Sequence, residues 1–142
     1  MAELVLKDCY LVIGTTAAPT NLTDHLRSVT ITYGAELQDK TAMMDEARTR
    51  IAGLKDFSIA LEFNQDFAAA SVDAVFFAMV GSTAKRVVIK PTTAIVGAAN
   101  PRFTGSVVLE SYSPIGGAVG DMGVAPVTLQ GDGVLSRSTT TT

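Results

Sequence analysis

The stretch 52–63, AGLKDFSIALEF, constrains the fold of this chain more than any other. Large apolar residues alternate there with small or polar ones: Phe57, Ile59, Leu61 and Phe63 against Ser58, Ala60 and Glu62. Because successive side chains of a strand point to opposite faces, the alternation predicts a strand with one buried face. Such a strand needs further strands to complete its core.

Five other segments have strand-like patterns or composition: Leu4–Ile13, Val29–Tyr33, Arg86–Lys90, Phe103–Tyr112 and Gly123–Gln130. We expect Gly34 to end the second of them, and Gly105 to mark a bulge or a tight crossing. Residues 71–80 predict one short helix, with Ser71 as its cap, an apolar stripe from Val72 to Val80 and Gly81 as its stop. The chain therefore predicts a mainly β fold: a β-sandwich or barrel of about six or more strands with one flanking helix.

A long charged segment separates the second strand from the central one. Residues 34–53 carry charges of both signs and the pair Met43 and Met44. One interpretation is a solvated helix over Thr41–Thr49, or a loop. The other is an extended inter-strand arm that contacts another subunit, where mixed charges set register and methionines adapt to the partner.

Length and composition fit a single domain over 1–135, followed by a flexible tail, 136–142, with nothing to pack against. Only 18% of the residues are charged, which suits a chain that covers part of its surface with neighbours. The net charge of -3 argues against a protein that binds nucleic acid by neutralising phosphates. No secretory signal or membrane-spanning run is visible, so we expect synthesis in the cytoplasm and no membrane partner.

The residue types that carry chemistry are sparse. Cys9 stands alone, so no intramolecular disulfide is expected, and His25 has no second histidine or cysteine at metal-ligand spacing. The glycine-rich stretch 116–120 lacks the Lys-Ser/Thr of a phosphate loop. We therefore expect no catalytic residue, no cofactor and no metal. An enzyme alternative, a small hydrolase using Asp24 and His25, lacks a recognisable nucleophile.

Three stretches together resemble the major tail tube proteins of long-tailed, non-contractile phages. They are LTDHLRSVTITY (22–33), TAMMDEARTRIAGLKDFSIALEFNQDF (41–67) and NPRFTGSVVLESYSPIGGAVGDMGVAPVTLQGDGVLSR (100–137). They cover most of the chain in the expected order. One departure is Phe57, where the commonest form of the family has Trp.

The resemblance implies a structural virion protein that is made in the host cytoplasm and has no catalytic activity. Hexameric rings of this chain would stack into the tail tube, contact other tail proteins at the tube ends and form the channel through which DNA passes unbound. The arm residues implied at subunit interfaces are Asp39, Lys40, Met43, Met44, Asp45, Glu46, Arg48 and Arg50. Within this set we expect Arg48 and Arg50 to contribute most, since a guanidinium pairs directionally with carboxylates.

The channel lining is expected to be neutral or mildly negative. Its candidates are the polar strand residues Thr30, Thr32, Ser58 and Glu62. Two alternatives stay open: a tail terminator or connector, and a capsid-decorating or ligand-binding β-sandwich, for which we expect a discrete concave pocket.

Overall fold

The alternating stretch forms the second half of the longest strand in the structure, a computed structural model that describes residues 3–15 and 17–140. The elements in chain order are β1 (Tyr10–Gly14), β2 (Pro19–Asn21), β3 (Leu26–Asp39), β4 (Arg50–Asn64), α1 (Val72–Met79), β5 (Lys85–Lys90), β6 (Arg102–Tyr112), β7 (Val124–Gly131) and β8 (Ser136–Ser138). A short 3-10 turn, Thr23–His25, precedes β3. The predicted mainly β fold with one helix is confirmed.

The described strands form one antiparallel sheet in the order β2-β1-β5-β6-β7-β4-β3, and β8 pairs with β6. Side chains from strands far apart in this order, such as Leu11 of β1 and Ile59 of β4, belong to the same buried cluster. The sheet must therefore curl, so the molecule has the barrel-like form of the predicted fold rather than two separate stacked sheets. A hydrogen bond from the Leu11 amide to the Thr23 hydroxyl (3.0 Å) ties β1 to the turn before β3.

The helix packs on the concave, core side of the sheet through Val72, Phe76 and Met79. Ser71 lies at the predicted cap position, but its hydroxyl makes no capping hydrogen bond and donates to Asp66 instead. Val80, predicted within the apolar stripe, is exposed. Gly81 has φ +74, a left-handed conformation that ends the helix where the sequence predicts it.

Several predicted boundaries are wrong. Gly34 does not end its strand, because β3 continues to Asp39. Residues 4–9 precede β1 and are not part of it, and residues 19–21, which lie in none of the predicted strands, form β2. Gly105 is not a bulge, because the bulge of β6 lies between Leu109 and Ser111. Gly105 is instead the tight crossing that is the other alternative predicted for it, since it lies in close contact with Phe57.

The expected flexible tail needs a correction at its start. Residues 136–138 form β8 and pair with 102–104 of β6, so they do have a partner. The physical reason is that β7 leaves β6 at Val107, and the edge of β6 beyond that point is open to another strand. Residues 141 and 142 of the predicted tail lie outside the described part of the chain.

Candidate assembly surfaces

The inter-strand arm is a two-stranded ribbon. The second half of β3 pairs with the first half of β4, from Gly34 opposite Asp56 to Asp39 opposite Arg50. Because β7 pairs with β4 only from Ser58 onward, this part of the hairpin projects beyond the sheet. The segment is extended, and the structure has no helix over Thr41–Thr49. The contact of the arm with another subunit stays a prediction.

A bulge sits near the base of the arm. Ala35 lies opposite Lys55, and Leu37 lies opposite Ala52. Between these pairs β3 has one residue, Glu36, whereas β4 has two, Gly53 and Leu54. A bulge strengthens local twist and redirects the side chains that follow it. The direction of the arm relative to the sheet is therefore set at this point.

The arm tip is closed by its own polar groups. Lys40 N–H donates to the Thr49 carbonyl (2.9 Å), and Thr49 N–H donates to the Thr41 hydroxyl (2.9 Å). Asp45 accepts a hydrogen bond from Ala42 N–H (2.8 Å), which closes the turn that contains Met44 at φ +74. The tip is therefore a defined turn, and some of its charged groups serve to build it.

Arg48, expected among the strongest contacts to a neighbour, pairs with Asp39 of its own chain at 2.9 Å. Hydrogen bonds from Thr41, helped by Arg48, lower the pKa of Asp39. By contrast, the side chains of Lys40, Glu46 and Arg50 make no hydrogen bond or ion pair with the described residues. Of the eight predicted interface residues, these three and the two methionines keep their side chains available to a partner.

The arm also exposes large apolar side chains. Met43 and Met44 are 97% and 99% exposed, and Leu37, Ile51 and Leu54 are also exposed. The sequence prediction missed the last three, because Leu54 was assigned to the core strand and the other two to a charged segment. Apolar groups concentrated on a projecting element are typical of a contact site.

The four predicted channel residues share one face of the sheet. Thr30 pairs with Ala60, Thr32 with Ser58, and Ser28 with Glu62, all on the face opposite Ile31, Ile59 and Leu61 of the core. Thr128 and Gln130 of β7 extend this polar face. The structure therefore brings Thr30, Thr32, Ser58 and Glu62 together on one face.

The charges on this face are mainly acidic. Glu62 pairs with Arg27 at 3.3 Å, and Glu110 accepts a hydrogen bond from the Gln130 amide at 2.7 Å. Asp56, opposite Gly34, and Glu36 belong to the same face. A hollow of about 600 Å³ lies over these residues at the base of the arm, next to Leu54 and Lys55. The hollow is an open groove and not the discrete pocket expected of a ligand-binding module.

The outer edge of β3 has no strand partner among the described residues. Its 14 residues leave a long row of backbone donors and acceptors that another strand can pair with. The opposite end of the sheet is the short strand β2. An edge as long as that of β3 is an aggregation risk in a monomer, and a second chain that adds a strand would remove it.

His25 lies in a small polar cluster. Its Nε2 is 3.3 Å from the Ser71 hydroxyl and 3.4 Å from Asp66 Oδ2, and the Ser71 hydroxyl also donates to Asp66 (2.9 Å). In a catalytic triad the carboxylate contacts the ring nitrogen opposite the serine. Here serine and carboxylate meet the same nitrogen, and Ser71 is buried, so the cluster links the turn before β3 to the start of α1.

Other chemistry is not assembled in the described part of the chain. No group of three or more His, Cys, Asp or Glu side chains there is arranged to hold a metal ion. Burial raises the pKa of the Cys9 thiol, which donates a hydrogen bond to the Lys90 carbonyl at 3.2 Å. None of the described helices has the length and apolar character needed to cross a bilayer.

Comparison with solved structures identifies the fold. A chain from the tail of an empty gene transfer agent particle, refined with C6 symmetry, matches with a TM-score of 0.76 at 17% identity, over 96% of this chain and 99% of that chain. A chain of the SPP1 tail tube matches with a TM-score of 0.76 at 12% identity, over 99% of this chain and 81% of that chain. No protein-family model and no curated protein matches the sequence.

A chain from the sheath-tube complex of an extracellular contractile injection system also matches, with a TM-score of 0.69 at 12% identity, over 97% of this chain and 93% of that chain. Both the tails and the contractile system therefore contain this architecture, and the matches do not single out the non-contractile type. These neighbours are structural components and not enzymes. The chain has the fold of tail tube proteins.

Proposed function

We propose that this protein is a structural virion subunit that self-assembles into hexameric rings, which stack into a tail tube for DNA delivery. The observation that carries the proposal is the match to tail and tail-tube chains over 96% or more of the chain. No catalytic residue is assigned, in keeping with the geometry of the His25 cluster. The partners are further copies of the chain and the proteins at the tube ends.

Two features of the molecule support assembly. The β3 edge leaves backbone groups of a long strand without a partner, and a neighbour in the ring would satisfy them. The arm presents apolar side chains and the unpaired charges of Lys40 and Arg50 away from the core. Both features are costly in a monomer and useful in a ring or a stack.

The polar face of β3, β4 and β7 is the proposed channel lining. Hydroxyl and amide groups there are accompanied by carboxylates, and Arg27 is paired with Glu62. Such a face repels the phosphate backbone weakly and offers few cations to hold it. DNA can then pass without specific binding.

A terminator is the second candidate. A chain from the sheath/tube terminator structure of the same contractile system matches with a TM-score of 0.71 at 12% identity and covers 96% of both chains. A terminator predicts single rings that do not stack, whereas a tube subunit predicts rods of repeated rings. Negative-stain electron microscopy of the purified protein at high concentration separates the two.

The role of the arm is tested by shortening it. Replacing residues 40–49 by Asn-Gly keeps Asp39 opposite Arg50 across a two-residue hairpin turn. We expect a folded protein with unchanged far-ultraviolet circular dichroism that no longer forms rods. The matched control, Ile95→Ser, removes an exposed apolar side chain from a loop outside the arm and should still polymerise. Rods from the shortened chain would contradict the role of the arm, and only small particles from the wild type would contradict the proposed tube function.

A further inference from the structure

A second apolar surface lies at the end of β4 opposite the arm. It consists of Phe67, Ile115, Val119 and Met122, and we call it the loop-end surface. Phe67 is 65% exposed, Ile115 86% and Met122 60%, and Val119 is fully exposed. Gln65 joins the two segments that carry them, since its N–H donates to the Gly123 carbonyl (3.0 Å) and its amide to the Pro114 carbonyl (2.5 Å).

The position of this surface relative to the arm is fixed by β4. The strand begins at Arg50 in the arm and ends at Asn64, beside Val124 at the end of the 113–123 loop. At a rise of ~3.3 Å per residue, its 15 residues span about 50 Å. Two apolar surfaces at opposite ends of one strand can meet only in different molecules.

The two surfaces are complementary in charge. Segments 64–73 and 112–124 contain Asp66, Asp73 and Asp121 and no lysine or arginine. Asp66 is bound to Ser71 and His25, and Asp73 to Tyr112, whereas Asp121 makes only a local hydrogen bond with Ala118 N–H. At the other end, Lys40 and Arg50 make no ion pair within the described residues, whereas Arg48 is already paired with Asp39. Among the acids of the arm tip, Asp45 closes the turn and Asp39 pairs with Arg48, whereas Glu46 does neither. The unpaired cations near one apolar surface therefore have an available carboxylate, that of Asp121, near the other.

Both surfaces can also adapt in shape. Gly117 and Gly120 have φ +119 and +93, conformations that glycine adopts without steric cost. Met43 and Met44 are unbranched and fill irregular gaps. A glycine-rich loop can enclose such side chains without a preformed pocket.

We propose that the loop-end surface receives the arm tip of a second copy of this chain. This inference rests on the proposed function. It adds the surface that binds the arm of the neighbouring copy in the stack. The contact is heterologous, because each copy donates an arm at one end and receives one at the other. Such a contact repeats without closing on itself and generates a linear assembly.

Cysteine cross-linking tests the pairing. In a Cys9→Ser background, chains carrying Met44→Cys and Val119→Cys are mixed under mild oxidation, and disulfide-linked dimers are quantified on non-reducing gels. The control pairs Met44→Cys with Ile95→Cys, an exposed apolar site in another loop. We expect the Met44–Val119 mixture to give several-fold more dimer than the control mixture or either chain alone. Equal yields, or dimers mainly between two Met44→Cys chains, would overturn the proposal.

A second experiment uses complementation. Ile115→Asp with Val119→Asp blocks the receiving surface, and Met43→Asp with Met44→Asp blocks the arm tip. Each variant alone should form no rods, and their mixture should form pairs of subunits or of rings that do not grow, because one contact is restored. Rods from the loop-end variant would refute this contact while leaving the tube function intact. Wild-type protein without rings or rods would refute the function itself.

Discussion

Phe57 occupies a slot that two glycines leave open. A Cβ at Gly131 would lie 2.5 Å from the Phe57 ring, and one at Gly105 would lie 2.7 Å from its Cζ. Carbon atoms in real structures do not approach this closely, so both positions exclude a side chain while Phe57 keeps its place. The two glycines explain how a large aromatic side chain of β4 can pack closely against the backbones of β6 and β7.

Gly131→Ala should therefore destabilise the protein. The added methyl meets a ring held by the core on its other side, and overpacking of this kind costs about 1–3 kcal/mol. Gly34→Ala is the matched control in β3, because no atom lies within 4 Å of its Cβ position. Urea unfolding of both variants checks this, and an equal effect of the two substitutions would show that Phe57 can move aside.

Asp66 provides a pH-dependent contribution at the start of α1. Hydrogen bonds from Ala68 N–H and the Ser71 hydroxyl, with a smaller contribution from His25, lower its pKa from the ordinary value of 3.8. A carboxyl whose pKa is lower in the folded chain takes up its proton more readily in the unfolded chain. Its stabilising effect is therefore present above the ordinary pKa and is lost as the pH falls through the folded one.

Asp66→Asn should lower stability at neutral pH and have a smaller effect as the pH falls below about 4. Ser71→Ala removes one of the donors and should weaken the pH dependence of wild-type stability over the same range. The free energy of unfolding measured from pH 7 to pH 3 gives the comparison. A difference between wild type and Asp66→Asn that stays constant across the range would contradict the role of the ionised carboxylate.

At the scale of elements, the hydroxyl of one tyrosine adds a polar link between α1 and the sheet. The Tyr112 hydroxyl at the end of β6 donates to Asp73 Oδ1 (2.8 Å) and accepts from the Gln65 amide (3.0 Å). The Tyr112 ring lies 5.9 Å from that of Phe76. Burial raises the pKa of Tyr112, and the bond to Asp73 adds to this. The hydroxyl therefore connects helix, sheet and the Gln65 segment.

Tyr112→Phe should cost about 1 kcal/mol of stability, the net contribution of a typical hydrogen bond, or more if Asp73 and Gln65 find no replacement. The control is Tyr33→Phe, since the Tyr33 hydroxyl makes no hydrogen bond to the described residues. Denaturant midpoints of the two variants are compared with that of the wild type. Identical midpoints for Tyr112→Phe and wild type would mean that solvent replaces the contact.

Elements with a strong local pattern can be predicted from the sequence. Strand limits that depend on pairing with distant strands cannot. The alternation of Phe57 to Phe63 and the helix ending at Gly81 have local causes, and both are confirmed. The continuation of β3 past Gly34 and the pairing of residues 136–138 depend on strands distant in sequence. The face shared by Thr30, Thr32, Ser58 and Glu62 follows from alternation once β3 and β4 pair, but the loop-end surface has no periodic signal.

At the scale of the whole molecule, one polar face and one apolar core lie on opposite sides of a curled sheet. In the proposed ring the polar face of each copy meets the passing DNA. Its carboxylates outnumber its cations, and the arm and loops lie at its ends. The interior of the tube would then have a surface whose charge opposes retention of the cargo.

Thr30→Lys with Thr32→Lys should convert that surface into one that holds DNA. Both side chains lie on the polar face, and lysines there gain affinity by releasing counterions from phosphates. Tubes of the variant should retain DNA at low salt and release it as salt rises, whereas wild-type tubes should not retain it. A control with Thr83→Lys and Ile95→Lys adds the same charge outside this face. Equal retention by both variants would place the lining elsewhere.

The continuity of β4 has a mechanical consequence. The same backbone runs from the exposed ribbon into the core, where Phe57 is locked between glycines at the point at which β7 begins to pair. A load on the arm is therefore transmitted along β4 into the buried core of the subunit. A tube whose subunits are joined through these arms would resist bending, because bending it would require each subunit to deform its own core.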